Sequence, residues 1–558
     1  MAGIVLTKKL KIALTGAVTS ILFRYSTTVR QWPLSHLLIF WVSITIAPSI
    51  ISFFYTLFVY PILSPYKNLP TPAEPPHWLY GHLLSIQVAE KPGDVRLRWM
   101  EGNPTATWIR FFSVLGLERI LLCTPAAAQS VLMTHAYSFV KPGLTHSLLD
   151  FMLGEGLLNA EGEVHKRQRK LVGPAFSFGH IKELVPTFQN VVFRLVQTMA
   201  ESIELEMADE NGFTILPIDR MLHETTLDVI FQGGFGVDIN PIKNENHPVV
   251  VAYRNIFSPI DRNTLMGRID LVVTFAFGSG ILPSPRTRLV KKSKKIAADF
   301  CMELLKEKRQ KHDIAVKFGK DPMEVEHDVL NILANKDIGL TDHEIVDNLT
   351  TFLAAGHETT SSASAYAVYL LTKHPEVQTK LRQEIRESLP YYTRECLQSE
   401  TNPFLQTSYE VIENMKYLNN VCREVLRFMP PIPVTNREAT KDMMIEGLLI
   451  RKGTMIFIAP AALNRLTSLY GADANQFNPD RWDNLPESAL HPYAYETFLQ
   501  GPRSCIGRRF AEMEFKCILI GLFGLFEFVE ADPLRSYKIM STITSKFSEP
   551  LMAKVRYA

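Results

Sequence analysis

The chain has 558 residues, 46% of them hydrophobic and 10% aromatic, and a formal charge of +2. That composition can fill a large core, and so small a net charge makes no case for nucleic acid. The six cysteines, Cys123, Cys301, Cys396, Cys422, Cys505 and Cys517, have no paired spacing, which argues for a reducing compartment over a disulfide framework. No low-complexity linker separates two globular halves, so one large catalytic unit with an N-terminal extension is expected.

The run Ile12 to Phe23 is apolar but short for a membrane span. Leu37 to Leu63 carries no charge and would give roughly 40 Å of helix against a hydrocarbon core of about 30 Å, so it is read as a transmembrane helix. Arg24 and Arg30 precede this span and Lys67 follows it, which by charge alone would place the globular part outside. Insertion of 12–23 as a second short segment would bring the Lys8, Lys9, Lys11 cluster and the globular part to the cytosolic side. Residues 1–63 are therefore read as a membrane anchor and the proline-dense 64–76 as a stiff, non-helical hinge. Residues 77–558 are left as the catalytic domain.

Trp108 to Cys123 reads as two short strands around Gly116, after which amphipathic helical patterns dominate. In the first of them His165 and Arg169 stand one turn apart on one face, with Lys166 and Lys170 on the face beside it. Asp270 to Pro285 is apolar and is followed by Arg286, Arg288, Lys291, Lys292, Lys294 and Lys295, a pattern of either a loop dipping into a membrane or a core segment before a solvated helix. Asn348 to Lys373 reads as a long helix interrupted by Ala354-Ala355-Gly356-His357-Glu358-Thr359-Thr360, whose glycine and threonines cost helix stability. There a threonine hydroxyl can bond a carbonyl one turn back, and Gly356 can leave room for a small molecule. Glu424 and Arg427 lie three apart on a helix, followed by Pro430-Pro431-Ile432-Pro433 and later by Phe477-Asn478-Pro479-Asp480-Arg481-Trp482.

The last chemical stretch is Phe498-Leu-Gln-Gly501-Pro-Arg503-Ser-Cys505-Ile-Gly507, with an apolar helical pattern after it. A cysteine at a helix start beside Arg503 and Arg508 is expected to have a lowered pKa. Such a thiolate serves as nucleophile or metal ligand, and the glycines and Phe498 fit a ligand better.

The spacing of Phe498, Gly501, Arg503, Cys505 and Gly507 resembles the haem-binding loop of the cytochromes P450, the haem-thiolate monooxygenases. With the Ala354 to Thr360 signature, the Glu424–Arg427 helix and Arg481 in the family's order, the resemblance covers roughly Pro70 to Ala558. It implies a mainly α fold with a small antiparallel β region. Cys505 would be the axial ligand of the haem iron, with Phe498 shielding the sulfur and Gly501 and Gly507 letting backbone approach the macrocycle. Arg503, His165, Arg169 and Arg437 would meet the haem propionates, though His165 stands where a tryptophan is usual. Thr359 and Glu358 would serve dioxygen and its protons, and Glu424, Arg427 and Arg481 would form a structural triad. Phe352, Ala355, Val434 and Thr435 would line the substrate pocket. Asn464-Arg465 departs from the family's usual His-Arg, and no function is attached to it.

The implied reaction is monooxygenation of a bulky apolar natural product, such as a terpenoid, in fungal secondary metabolism. Electrons would come from NADPH through a separate flavoprotein, NADPH-cytochrome P450 reductase, or from cytochrome b5. Lys166, Lys170, Arg508, Arg509 and Lys516 are expected to form the docking face for that acidic partner. The implied location is the endoplasmic reticulum membrane, with the catalytic domain on its cytosolic face. Two rivals differ in class. A haem-thiolate isomerase or dehydratase needs no external electrons and has less use for Glu358 and Thr359, and a non-catalytic haem protein has no need of an anchor beside an electron donor.

Overall fold

A computed structural model of the protein describes residues 51–558 apart from 52–53, 88, 206, 259–263, 268, 271–283, 323–325, 399–401 and 542. The chain divides into two compact units. One holds the described residues of 1–89 together with 93–140 and 434–462; the other holds 90–92, 141–433 and 463–558.

The first unit is built on a five-stranded sheet. Trp108–Phe112 and Glu118–Leu122 pair antiparallel as expected, and the turn between them takes positive φ at Leu115 (61°) and Gly116 (65°). Met455–Ile458 joins parallel to Glu118–Leu122, followed by Thr435–Ala439 and Phe139–Val140, both antiparallel. The sheet is therefore mixed, where the resemblance implied an antiparallel region. Both faces of the sheet are covered, Ile109 and Leu121 being buried on one and Ile120, Ile456 and Ile458 on the other.

The proline-dense segment is non-helical, and it is fastened to this sheet. The Pro70 carbonyl accepts from Arg110 N at 2.8 Å, Ser64 Oγ donates to Glu118 at 2.7 Å, and the buried Tyr66 hydroxyl accepts from Arg451 N at 2.9 Å. The expected spans 12–23 and 37–63 fall mostly outside the described residues. Among the described residues, no helix is long and apolar enough to cross a membrane.

The second unit is mainly helical, and its helices include α1 (Gly162–Val172), α2 (Phe178–Leu205), α3 (Ile218–Val229), α4 (Pro285–Lys317), α5 (Asp342–Lys373), α6 (Lys416–Phe428) and α7 (Arg508–Leu525). Met552–Tyr557 lies between Thr214–Pro217 and Phe526–Glu530 in a three-stranded antiparallel sheet, and Ile539–Ser541 pairs with Ser545–Phe547. The basic run after Asp270 forms the start of α4, with Arg288, Lys291, Lys292 and Lys295 exposed; the apolar 271–283, on which the two readings differ, lies outside the described residues.

Helix α5 opens with a reciprocal cap, Thr341 Oγ1 accepting from Glu344 N and the Glu344 carboxylate accepting from Thr341 N. It then runs 32 residues to Lys373 with no break at the expected interruption. Its middle is buried between α3, α7 and α4, so tertiary packing offsets the poor propensities of Gly356 and the threonines. Helix α7 crosses α2 closely: a Cβ on Gly521 would lie 2.3 Å from Val192 Cγ1.

The Glu424–Arg427 pair, which in isolation would be a weak surface contact, is fully buried. Arg427 Nε and Nη2 donate to the two Glu424 oxygens at 2.8 and 2.7 Å, and Arg481 Nε donates to Oε1 at 3.1 Å. Trp482 Nε1 and Asn478 N complete the carboxylate's shell. The guanidiniums spend their remaining donors on the carbonyls of Asn464, Asp473, Ala474 and Gln476. Removing the carboxylate strands the buried Arg427, while Arg481 keeps the Asp473 carboxylate at 2.9 Å, so Glu424→Ala should lower unfolding stability by about 3–5 kcal/mol, or prevent folding. Denaturant unfolding measures this, and a loss under about 1 kcal/mol would show the triad to be dispensable.

Candidate active site

The stretch Phe498 to Cys505 folds back on itself. Cys505 N donates to Phe498 O at 2.9 Å and Ser504 N to Gly501 O at 3.0 Å, which requires positive φ at Leu499 (53°) and Gly501 (80°). Glycine meets that demand without cost; Leu499 meets it inside a loop closed at both ends. Gly507 is the N-cap of α7, so Cys505 stands two residues before the cap, at the start of the helix as expected. The half-buried Phe498 ring packs against the core and lies 5.3 Å from the Arg508 guanidinium.

Cys505 is exposed, whereas the other five cysteines are buried. Its thiol is nevertheless pushed up by the protein around it; the Gly507 N–H, Arg169 and Arg508 act in the opposite direction without prevailing. This corrects the expectation of a lowered pKa: the helix terminus is outweighed by desolvation. A thiol with open surface and a raised pKa loses its proton to a positive partner at sulfur, which is the behaviour of a metal ligand more than of a free nucleophile.

Helix α1 is tied to this loop from the side. Arg169 Nη1 donates to Ser504 O at 2.6 Å, Arg503 Nη1 donates to Ala160 O at 3.2 Å, and Arg503 pairs with Glu161 just before α1. His165 is buried on the inner face of α1 beside Gln168 and Val172. The turn before α1 is tied in turn to α5, where Asp347 and Asn348 accept from Glu155 N and Leu157 N at 3.0 and 2.9 Å. Phe176 makes a further link, its ring 5.2 Å and edge-on to Phe352 of α5 and its edge in van der Waals range of a Cβ on Gly507. Phe352 is thus linked to the end of the cysteine loop through Phe176.

Along the mostly buried α5, one short face opens: Ala355 is exposed and Thr359 half-buried. Thr359 Oγ1 donates to Ala355 O at 2.7 Å, the one-turn back-bond anticipated for a threonine here. The room expected at Gly356 is taken by Ile230, since a Cβ there would meet its Cδ1 at 2.4 Å and Cγ1 at 2.9 Å. The Glu358 side chain is buried elsewhere on the helix, accepting from Thr544 Oγ1 at 3.3 Å with Lys546 Nζ 3.8 Å away.

The sequence profile of cytochrome P450 matches residues 70–548. Among relatives, cytochrome P450 monooxygenase sphH of Aspergillus fumigatus is 32% identical over 90% of each chain. Cytochrome P450 monooxygenase FUM15 of Gibberella moniliformis is 34% identical over 90% of each, and ALT8 of Alternaria alternata 34% over 83% of this chain and 84% of its own. The chain belongs to the cytochrome P450 family. It is thereby a haem-thiolate monooxygenase, working with a redox partner on an apolar substrate. The residues fit a haem: the one exposed thiol is carried on a tight loop, with Arg169 and Arg503 beside it and an open uncharged face on α5.

Arg437, Val434 and Thr435 belong to the sheet unit. There Arg437 is buried and donates to Thr435 Oγ1 at 3.0 Å and Asn436 O at 2.7 Å, while Val434 and Thr435 are half-buried. Lys166, Lys170, Arg508 and Arg509 are exposed as expected of a docking face, but Lys516 is buried and bonded to Glu413 at 2.8 Å. The sequence reading also passed over Asn464. It accepts from Glu496 N at 2.8 Å and donates to Thr497 Oγ1 at 2.9 Å while its carbonyl receives Arg427, so it joins the triad to the root of the cysteine loop. Its departure from the family's usual histidine was the only available signal.

Glu496, at that root, is fully buried, and neither carboxylate oxygen has a hydrogen-bond partner among the described residues. Burial pushes its pKa up to about 9. The folded protein therefore keeps a proton that the unfolded chain releases near its ordinary value, and stability falls as pH rises from about 4.5 to about 9. Glu496→Gln lacks this dependence. Its Tm relative to the native chain should rise between pH 5 and pH 8; a pH-independent difference would show that Glu496 is ionised in place.

Proposed function

We propose that this monooxygenase inserts one oxygen atom from O2 into a bulky, largely apolar natural product of fungal secondary metabolism, a terpenoid being one such substrate. The observation that carries the reading is the exposed Cys505 thiol on its closed loop, tied through Arg169, Glu161 and Phe176 to the α5 segment that bears Thr359. Haem bound at Cys505 supplies the redox chemistry, in which substrate, O2, two electrons and two protons become oxygenated product and water.

The chain's own residues manage protons and access. Because the Thr359 hydrogen is committed to Ala355 O, its outward lone pairs are free to accept a hydrogen bond from a protonated group on the open face. Glu358, next along the helix and about 100° around it, can hold a proton and pass it toward that face. Arg169, Arg503 and His165 would receive the propionates, Arg503 and Arg169 exchanging or sharing present partners to do so. Phe352 and Ala355 are uncharged, so a substrate held against them would gain mainly from burying hydrocarbon, about 25 cal/mol per Å².

Electrons would arrive from NADPH through a flavoprotein reductase, or from cytochrome b5, docking on the exposed Lys166, Lys170, Arg508 and Arg509. Residues 1–63 would anchor the enzyme in the endoplasmic reticulum membrane with the catalytic domain, 77–558, on the cytosolic side. The fungal sources of the relatives support the metabolic setting.

Two measurements test the reading. Reduced protein under carbon monoxide should show the strongly red-shifted Soret band of a thiolate-ligated haem and lose it in Cys505→Ala; an unchanged band in the variant removes Cys505 as ligand. Thr359→Ala should keep its haem yet divert NADPH oxidation to hydrogen peroxide, lowering product per NADPH by about tenfold or more. Full coupling in that variant would take Thr359 out of the mechanism.

A further inference from the structure

Around the helix from Thr359, three metal-binding side chains converge. His223 on α3 and His357 and Glu358 on α5 each place a potential ligand atom within 4.8 Å of the other two, and His357 Nε2 is 3.8 Å from Glu358 Oε1. His357 Nδ1 lies 2.6 Å from Leu353 O. A carbonyl only accepts, so Nδ1 carries the hydrogen, and in the neutral ring the lone pair is on Nε2, the nitrogen near Glu358. An imidazole whose second nitrogen donates to a backbone carbonyl is the usual condition of a histidine bound to a metal.

The cluster is held from outside. Thr226 Oγ1 donates to His357 O at 3.1 Å, and the His357 ring meets Tyr253 and Phe257 edge-on at 6.1 Å. His223 is half-buried, which leaves a way in, and its ring is 4.8 Å from that of His357. The cation now facing Glu358 is Lys546, 3.8 Å away and with a side chain 40% exposed, so it can turn to water when another positive charge takes its place.

We propose that His223, His357 and Glu358 form a binding site for a divalent transition ion, Zn2+ above all. Two imidazole nitrogens and one carboxylate with water in the fourth position suit this borderline-soft ion and would not suit Mg2+ or Ca2+. Bonds of about 2.0–2.2 Å need the ligand atoms to close by an ångström or so, which His223 can supply from the partly exposed side. Occupancy would hold the Glu358 carboxylate still and slow its proton transfer. That consequence rests on the function proposed above; the binding does not.

The test titrates haem-loaded enzyme freed of other metals with Zn2+ alone by calorimetry, in the native chain, His223→Asn and His180→Asn. His180 is the control because it forms a competing surface group with His327 and Glu183, whose His327 Nδ1–Glu183 Oε2 distance is 3.1 Å. The native chain and His180→Asn should bind one Zn2+ with equal affinity, and His223→Asn should bind it at least about tenfold more weakly. Equal affinity in His223→Asn, loss in His180→Asn, or no uptake by the native chain overturns the site. Should His223→Asn fail to fold, zinc X-ray absorption on His180→Asn decides: two imidazole nitrogens at zinc support the site, and none refutes it.

Discussion

The arrangement depends first on one carboxylate buried among two guanidiniums. Desolvating Glu424, Arg427 and Arg481 is expensive, and the cost is offset only because every strong donor finds an acceptor: the two acid oxygens, then the carbonyls of Asn464, Asp473, Ala474 and Gln476. Those carbonyls belong to a mostly irregular stretch whose only regular element among the described residues is the single turn Thr467–Tyr470. Asn464 passes the restraint on to Glu496 and Thr497, where the cysteine loop begins. A network that is a poor source of net stability thus specifies where backbone lies, and through it where Cys505 is presented.

Electrostatics around the site run on desolvation more than on charge pairs. Desolvation by the surrounding protein, helped by Glu512, raises Cys505 against a helix terminus and two arginines; burial also raises Glu496, and raises Glu514 of α7 well above the ordinary carboxylate range. Acids kept neutral beside the cysteine loop add no negative charge to repel an electron-rich thiolate. Glu358 has Thr544, Lys546 and His357 around its carboxylate.

Helix α5 shows how the same residues serve folding and chemistry. Gly356 is needed for the approach of Ile230, so that its immediate use is packing. Thr359 satisfies its hydroxyl on the helix itself, which leaves an acceptor on the open face at no cost in buried polarity. Lys516 makes the reverse point: charge and position suggested a docking surface, but its long aliphatic stem lies buried and only its ammonium is bonded, to Glu413.

Local chemistry and spacing made Cys505, its glycines, the Thr359 back-bond, the Trp108 to Cys123 hairpin and the Glu424–Arg427 pair legible, because each depends on residues within a turn or a short loop. The mixed sheet, the burial of that ion pair, the raised Cys505 thiol, Ile230 over Gly356 and the links of Asn464 and Phe176 were decided by tertiary structure. Each is a meeting of residues far apart in the chain, and burial, which sets both pKa and the worth of an ion pair, exists only once those segments have met.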